Sequence, residues 1–152
     1  MLRNTKLALI LAFLSVLLLT GCDSPSLLGK KVDKKYYTGG ALLSEFIWSD
    51  STGRNGTLKH YGFEGHQVSS VKITNGVKNG IESKFDNKGR VIQQTPYING
   101  KIHGVDKAFY PNGDRMITFT YRNGVKDGYA YSYYPDGKVC RKAVFRRGRL
   151  SN

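Results

Sequence analysis

From residue 36 onward, apolar and polar positions alternate in short runs separated by turn-forming residues. One set of runs reads IESKF (Ile81 to Phe85), VDKAFY (Val105 to Tyr110) and YAYSYY (Tyr129 to Tyr134). A second set reads VIQQTPY (Val91 to Tyr97), RMITFTY (Arg115 to Tyr121) and VCRKAVF (Val139 to Phe145). Both sets are rich in β-branched and aromatic residues and are bounded by Gly, Asn, Asp and Pro, the signature of strands joined by turns. No stretch beyond residue 35 sustains a helical period. The pattern predicts an all-β structure.

The runs recur every 24 residues. Three glycine columns carry the period: Gly76, Gly100, Gly124 and Gly148; Gly56, Gly80, Gly104 and Gly128; and Gly65, Gly89, Gly113 and Gly137. They account for 12 of the 18 glycines, so most glycine in this chain is there for its position. Asn75, Asn99 and Asn123 precede the first column, and Asn-Gly tolerates the positive φ that tight hairpin turns require. Each unit therefore contains two strands and two turns. A unit this small cannot bury a core alone, whereas stacked copies share one.

Side-chain columns follow the same period. Ile81, Val105 and Tyr129 align, as do Phe85, Phe109 and Tyr133; along a strand, residues 81 and 85 share a face. On the second strand Val68, Ile92, Met116 and Cys140 align, and Ile73, Tyr97, Tyr121 and Phe145 align. Positions 92 and 97 differ in parity. Either these two columns face opposite sides, or a bulge resets the register.

The units NGVKNGIESKFDNKGR, NGKIHGVDKAFYPNGDR and NGVKDGYAYSYYPDGK resemble the bacterial variant of the MORN repeat. The resemblance runs from about Thr52 to Asn152, with an echo at Tyr36-Tyr37-Thr38-Gly39-Gly40. It departs most between Ser44 and Ser70, where FEGHQ replaces the aromatic-Pro-Asn-Gly string, so that unit is expected to be distorted or to act as a cap. The resemblance implies an elongated antiparallel sheet of tandem β-hairpins of about 24 residues, spanning 36–152. Relatives bearing this repeat are commonly named antitoxins.

The N-terminus has a different character. Arg3 and Lys6 precede an uncharged stretch from Leu7 to Thr20, the length of a secretory signal core and short of the roughly 20 residues that span a bilayer. Leu19-Thr20-Gly21-Cys22 resembles the lipobox of bacterial lipoprotein precursors. The resemblance implies that 1–21 is a signal helix that is removed. Diacylglycerol and an N-acyl group then sit on Cys22, the only covalent additions expected, with no other cofactor. Two or three acyl chains anchor stably because each buried methylene contributes about 0.8 kcal/mol. Asp23 resembles an inner-membrane retention signal, which slightly favours that membrane of a cell envelope, with the protein facing the periplasm. Residues 22–35, with Ser, Pro, Gly and Lys, read as a flexible tether.

Charge completes the picture. The chain carries +13, and losing Arg3 and Lys6 with the signal segment leaves about +11. Lys138, Arg141, Lys142, Arg146, Arg147 and Arg149 crowd one acid-free stretch, a candidate anion-binding surface whose alternative is a solvated strand face. For an exported protein the fitting anions are phospholipid head groups, lipopolysaccharide or an acidic protein rather than nucleic acid. Catalytic candidates are weak. His60, His66 and His103 are scattered, most acids lie in turns, and neither a phosphate loop nor metal-ligand spacing occurs. Cys140, in a strand-like apolar run and left without a partner by lipidation of Cys22, reads as a small buried side chain. The expected function is a non-catalytic binding or scaffold module held to the membrane by lipid, contacting an envelope or toxin protein; the alternatives are an immunity or antitoxin protein and a structural envelope protein.

Overall fold

A computed structural model describes residues 30–151. The expected signal segment, the expected lipidation site Cys22 and most of the expected tether lie outside the described residues. Every regular element is a strand: β1 (Val32–Tyr36), β2 (Leu42–Trp48), β3 (Gly56–Tyr61), β4 (Gln67–Thr74), β5 (Val77–Lys78), β6 (Gly80–Phe85), β7 (Val91–Ile98), β8 (Lys101–Ile102), β9 (Gly104–Phe109), β10 (Arg115–Arg122), β11 (Val125–Tyr133), β12 (Val139–Arg146) and β13 (Arg149–Ser151). They form one open antiparallel sheet in the order β1-β2-β3-β4-β6-β7-β9-β10-β11-β12-β13, with short β5 and β8 pairing back onto β4 and β7. Neighbours in sequence are neighbours in space throughout. At about 4.8 Å per strand, the sheet extends about 48 Å across its strands, longer than any strand within it. The expected all-β, elongated hairpin architecture is the observed one. The ladder begins earlier than expected, since Val32–Lys35, read as tether, belong to β1.

The two kinds of turn lie on opposite rims. On one rim Asn75-Gly76, Asn99-Gly100, Asn123-Gly124 and Arg147-Gly148 all have positive φ at both residues, as a two-residue type I′ hairpin turn demands. On the other rim the chain closes five-residue turns. Tyr110 N–H donates to Asp114 O, Gly113 N–H donates back to Tyr110 O, and Asp86–Arg90 and Tyr134–Lys138 repeat the pattern. The stretch Gly62–His66 makes the same bonds, as does Tyr37–Ala41. The FEGHQ segment is therefore an ordinary turn. The departure in that unit sits instead at the loop 49–55, where Asp50 accepts bonds from Thr52 and Asn55 and replaces an Asn-Gly hairpin.

The parity of 92 and 97 resolves as a bulge at the column itself. Lys84 pairs with Gln93 while Phe85 pairs with Val91, so Ile92 is the extra residue. Val68, Met116 and Cys140 are skipped in the same way in their units. Because the ladder passes over it, a bulged residue contributes no packed cross-strand pair. Ile92 and Met116 are accordingly exposed. Cys140 is exposed too, contrary to the sequence expectation of a buried thiol. It occupies the bulge of β12, whose partner beyond β11 among the described residues is only short β13, pairing at Val144–Arg146.

The register defines two faces. Nearly all buried residues, including Val71, Ile73, Glu82, Thr95 and Ala130, lie on one of them, hereafter the core face. The rows of residues 81, 105 and 129 lie on the other.

Candidate binding face

Several charges on the core face have partners there. Lys78 Nζ lies 2.7 Å from both carboxylate oxygens of buried Glu82 and 4.9 Å from the Tyr97 ring centroid. Thr95 Oγ1 donates to Asp106 at 2.6 Å, and Gln93 Nε2 donates to the same carboxylate. Lys126 lies over Phe119 at 3.8 Å and near Phe145 at 5.2 Å. Burial, reinforced by the charge of Glu82, raises the Tyr97 hydroxyl above its usual range; burial and Asp106 do the same to Tyr121. On the opposite face, nearer the first strands, burial and the hydrogen bond to Glu45 push Tyr61 up to about 12, while the Tyr61 hydroxyl is the main cause holding Glu45 below the usual carboxylate range.

The opposite face is built differently. Ile81, Val105 and Tyr129, aligned one unit apart, are 57%, 42% and 50% exposed. Their exposure follows from position: they lie in a one-layer sheet on the side away from the buried residues, and no described segment crosses over them. On β11 the alternation of a strand brings Tyr129, Tyr131 and Tyr133 to this face as a ladder, with ring centroids 5.9 and 6.2 Å apart. Cations border the ladder. Lys142 Nζ is 4.3 Å from the Tyr129 centroid, and Arg115 Cζ is 4.9 Å from that of Tyr133. Ile81, Pro96, Val105, Lys107, Thr118 and Tyr131 share the walls of a depression of about 440 Å³. From β6 to β12, the paired strand residues that the register assigns to this face include Lys107, Arg115 and Lys142, and the one carboxylate that alternation brings there is Asp127, at the register shift near the start of β11.

The six basic residues singled out in sequence do not form one patch. Lys142, Arg146 and Arg149 share the tyrosine face, with Arg146 directly opposite Arg149. Arg141 pairs with Ser132 on the core face. Arg147 is spent on a turn, at φ 48°, and Lys138 is paired with Asp136 at 3.1 Å on the far rim. Sequence reasoning missed Lys107, Arg115 and the tyrosine ladder as one surface, although the period of two along YAYSYY carried the signal. The histidines do not converge. His60 lines a shallow depression on the core face beside Ser44 and Phe46, whereas His103 serves the next hairpin, its Nδ1 accepting from Asn123 N–H at 3.4 Å. Asn55 does the same for Asn75 two units earlier. Among the described residues no group of three or more His, Cys, Asp or Glu side chains is placed to hold a metal, and no helix is long and apolar enough to cross a membrane.

Comparison with protein families finds a MORN repeat variant at residues 126–146, which cover the whole tyrosine ladder and, except for Val125, β11 through β12. No curated protein matches the chain. The repeat and the open sheet are together consistent with a binding or scaffold module.

Proposed function

We propose that this protein is a membrane-anchored lipoprotein whose repeat sheet acts by contact, as a non-catalytic binding or scaffold module. The reading rests on one observation: a sheet that buries its packed residues on one face holds an apolar, cationic, tyrosine-lined surface open on the other. A surface of that kind marks an interaction site in a soluble domain. Anchoring by lipid on Cys22, at an inner membrane with the sheet facing the periplasm, follows from the lipobox-like string and Asp23.

Photo-crosslinking tests the contact. A benzophenone side chain is placed in living cells at position 131, on the tyrosine face, or at position 84, on the core face. The expected result is a discrete adduct from 131 and none from 84. No adduct from either position, or an adduct from 84 alone, removes the proposal. The identity of the adduct separates the two finer readings, because a toxin captured at 131 makes the protein an immunity partner.

A further inference from the structure

We infer that the tyrosine face receives an acidic, amphipathic polypeptide segment of a partner protein. The segment lies across the strands, with its apolar side chains on the Ile81–Val105–Tyr129 row and its carboxylates toward Lys107, Arg115 and Lys142. This rests on reading the sheet as a contact surface and names the class of partner.

Three features of the face carry the inference. First, its chemistry is arranged in rows. Ile81, Pro96, Val105, Thr120 and Tyr129 form an apolar line across successive strands, and Lys107, Thr118, Tyr131 and Lys142 form a parallel line two residues along. Neighbouring lines are separated by about 7 Å, the distance between same-side residues of a strand. That spacing also suits a peptide whose apolar and acidic side chains point to adjacent lines. Second, the cations are poised rather than paired. Lys142 and Arg115 rest against rings. Such exposed contacts are worth only about 0.5–1 kcal/mol, so a carboxylate can recruit the same charges without breaking an ion pair. Arg146 and Arg149, opposite each other on the same face, add a like-charge repulsion that an incoming anion relieves. Third, the surface is recessed. Thr118, on the floor between the cations, is only 4% exposed. A bilayer surface meets the rims of such a depression, whereas side chains enter it. A glycan or nucleic-acid backbone would satisfy the cations but leave the aliphatic row against a polar ligand.

The test uses the full-length protein in a nonionic detergent and three fluorescein-labelled 12-residue peptides, alternating leucine with glutamate, leucine with lysine, and serine with glutamate. Fluorescence anisotropy is expected to show the leucine–glutamate peptide binding at least tenfold tighter than either of the others. Lys107→Glu and Lys142→Glu, checked for an unchanged circular dichroism spectrum, are each expected to weaken it at least tenfold. Arg141→Glu makes the same change in net charge on the core face and is expected to alter it less than twofold. Equal binding of the serine–glutamate peptide reduces the site to charge alone and overturns the inference. So does weakening by Arg141→Glu equal to that by Lys142→Glu, or displacement of the peptide by vesicles of three parts phosphatidylcholine to one part phosphatidylglycerol. The crosslinking experiment keeps the two proposals apart. A lipid or a basic protein captured at position 131 sinks the acidic-segment inference while leaving the contact reading intact, and the absence of any adduct removes the contact reading itself.

Discussion

Replacing Gly128 by alanine tests the repeat architecture where backbone and packing demands coincide. Gly128 has a φ of +127°, and a Cβ built there would lie 3.0 Å from both Cβ and Cγ2 of Thr120 on the adjacent strand. Placing an L-residue at positive φ costs about 1–2 kcal/mol. Forcing a methyl group into an occupied site costs about 1–3 kcal/mol more. Thr120 cannot simply rotate away, because its Oγ1 donates to Tyr129 O at 2.8 Å. Gly137 is the matched control: its φ is +82°, yet nothing lies within 4 Å of the corresponding Cβ, so only the backbone cost applies. Gly128→Ala should therefore lose about 1–3 kcal/mol more than Gly137→Ala, a large share of the roughly 5–15 kcal/mol that holds a domain together. With a urea dependence of about 1–3 kcal/mol per molar, the difference moves the unfolding midpoint by about 1 M. Equilibrium unfolding followed by circular dichroism measures it. Adding Thr120→Ser, which keeps the hydroxyl and deletes Cγ2, should recover part of the loss. Equal midpoints for the two alanine variants would refute the packing half of the reasoning.

Other outcomes are expected on the same grounds. Arg147 occupies the Asn column at φ 48°; Arg147→Asn relieves a strained turn and should raise stability by about 0.5–1 kcal/mol, so a lowered melting temperature would count against the turn assignment. Tyr61 has a folded pKa pushed up to about 12 from an unfolded value near 10. Its contribution is thus fully present below about pH 10 and lost as pH rises toward 12, and Tyr61→Phe should flatten the alkaline limb of a stability–pH curve. Glu45 has the opposite sign. Its folded pKa is lowered, so its contribution is present above the ordinary carboxylate value of about 4.5 and fades as pH falls below it; Glu45→Gln should remove that acid sensitivity. Exposed Cys140 should react with a maleimide in the folded protein at nearly the rate of the urea-unfolded chain, and protection under native conditions would contradict its place at the bulge. Cys22→Ala should abolish incorporation of labelled palmitate, and undiminished labelling would remove the lipid anchor from the proposal.

The turns were legible because they impose a local demand. The Asn-Gly pairs at 75, 99 and 123 favour positive φ at both residues, and the structure places a two-residue hairpin at each. Faces were harder to read, because they depend on pairing with another strand. The column of Val68, Ile92, Met116 and Cys140 looks like any apolar strand position, and only the neighbouring strand shows that the ladder skips it. The buried reading of Cys140 failed for that reason. Six basic residues clustered within 138–149 were read as one candidate surface, but strand alternation sends Arg141 and Lys142 to opposite faces. Conversely, Val32–Lys35 reads as tether because it is lysine-rich, and in the structure it is an exposed strand. Such composition is also what an edge strand tolerates, and pairing with β2 decides the matter.

The N–H groups of Gly76, Gly100, Gly124 and Gly148 donate to the carbonyls of Arg54, Lys78, Ile102 and Lys126, each 22 residues earlier. Every such stitch joins a new hairpin tip to chain already synthesised and waits for nothing downstream. A polypeptide emerging amino end first can thus zip unit by unit, in the order of its own birth, without holding a long unpaired stretch in reserve.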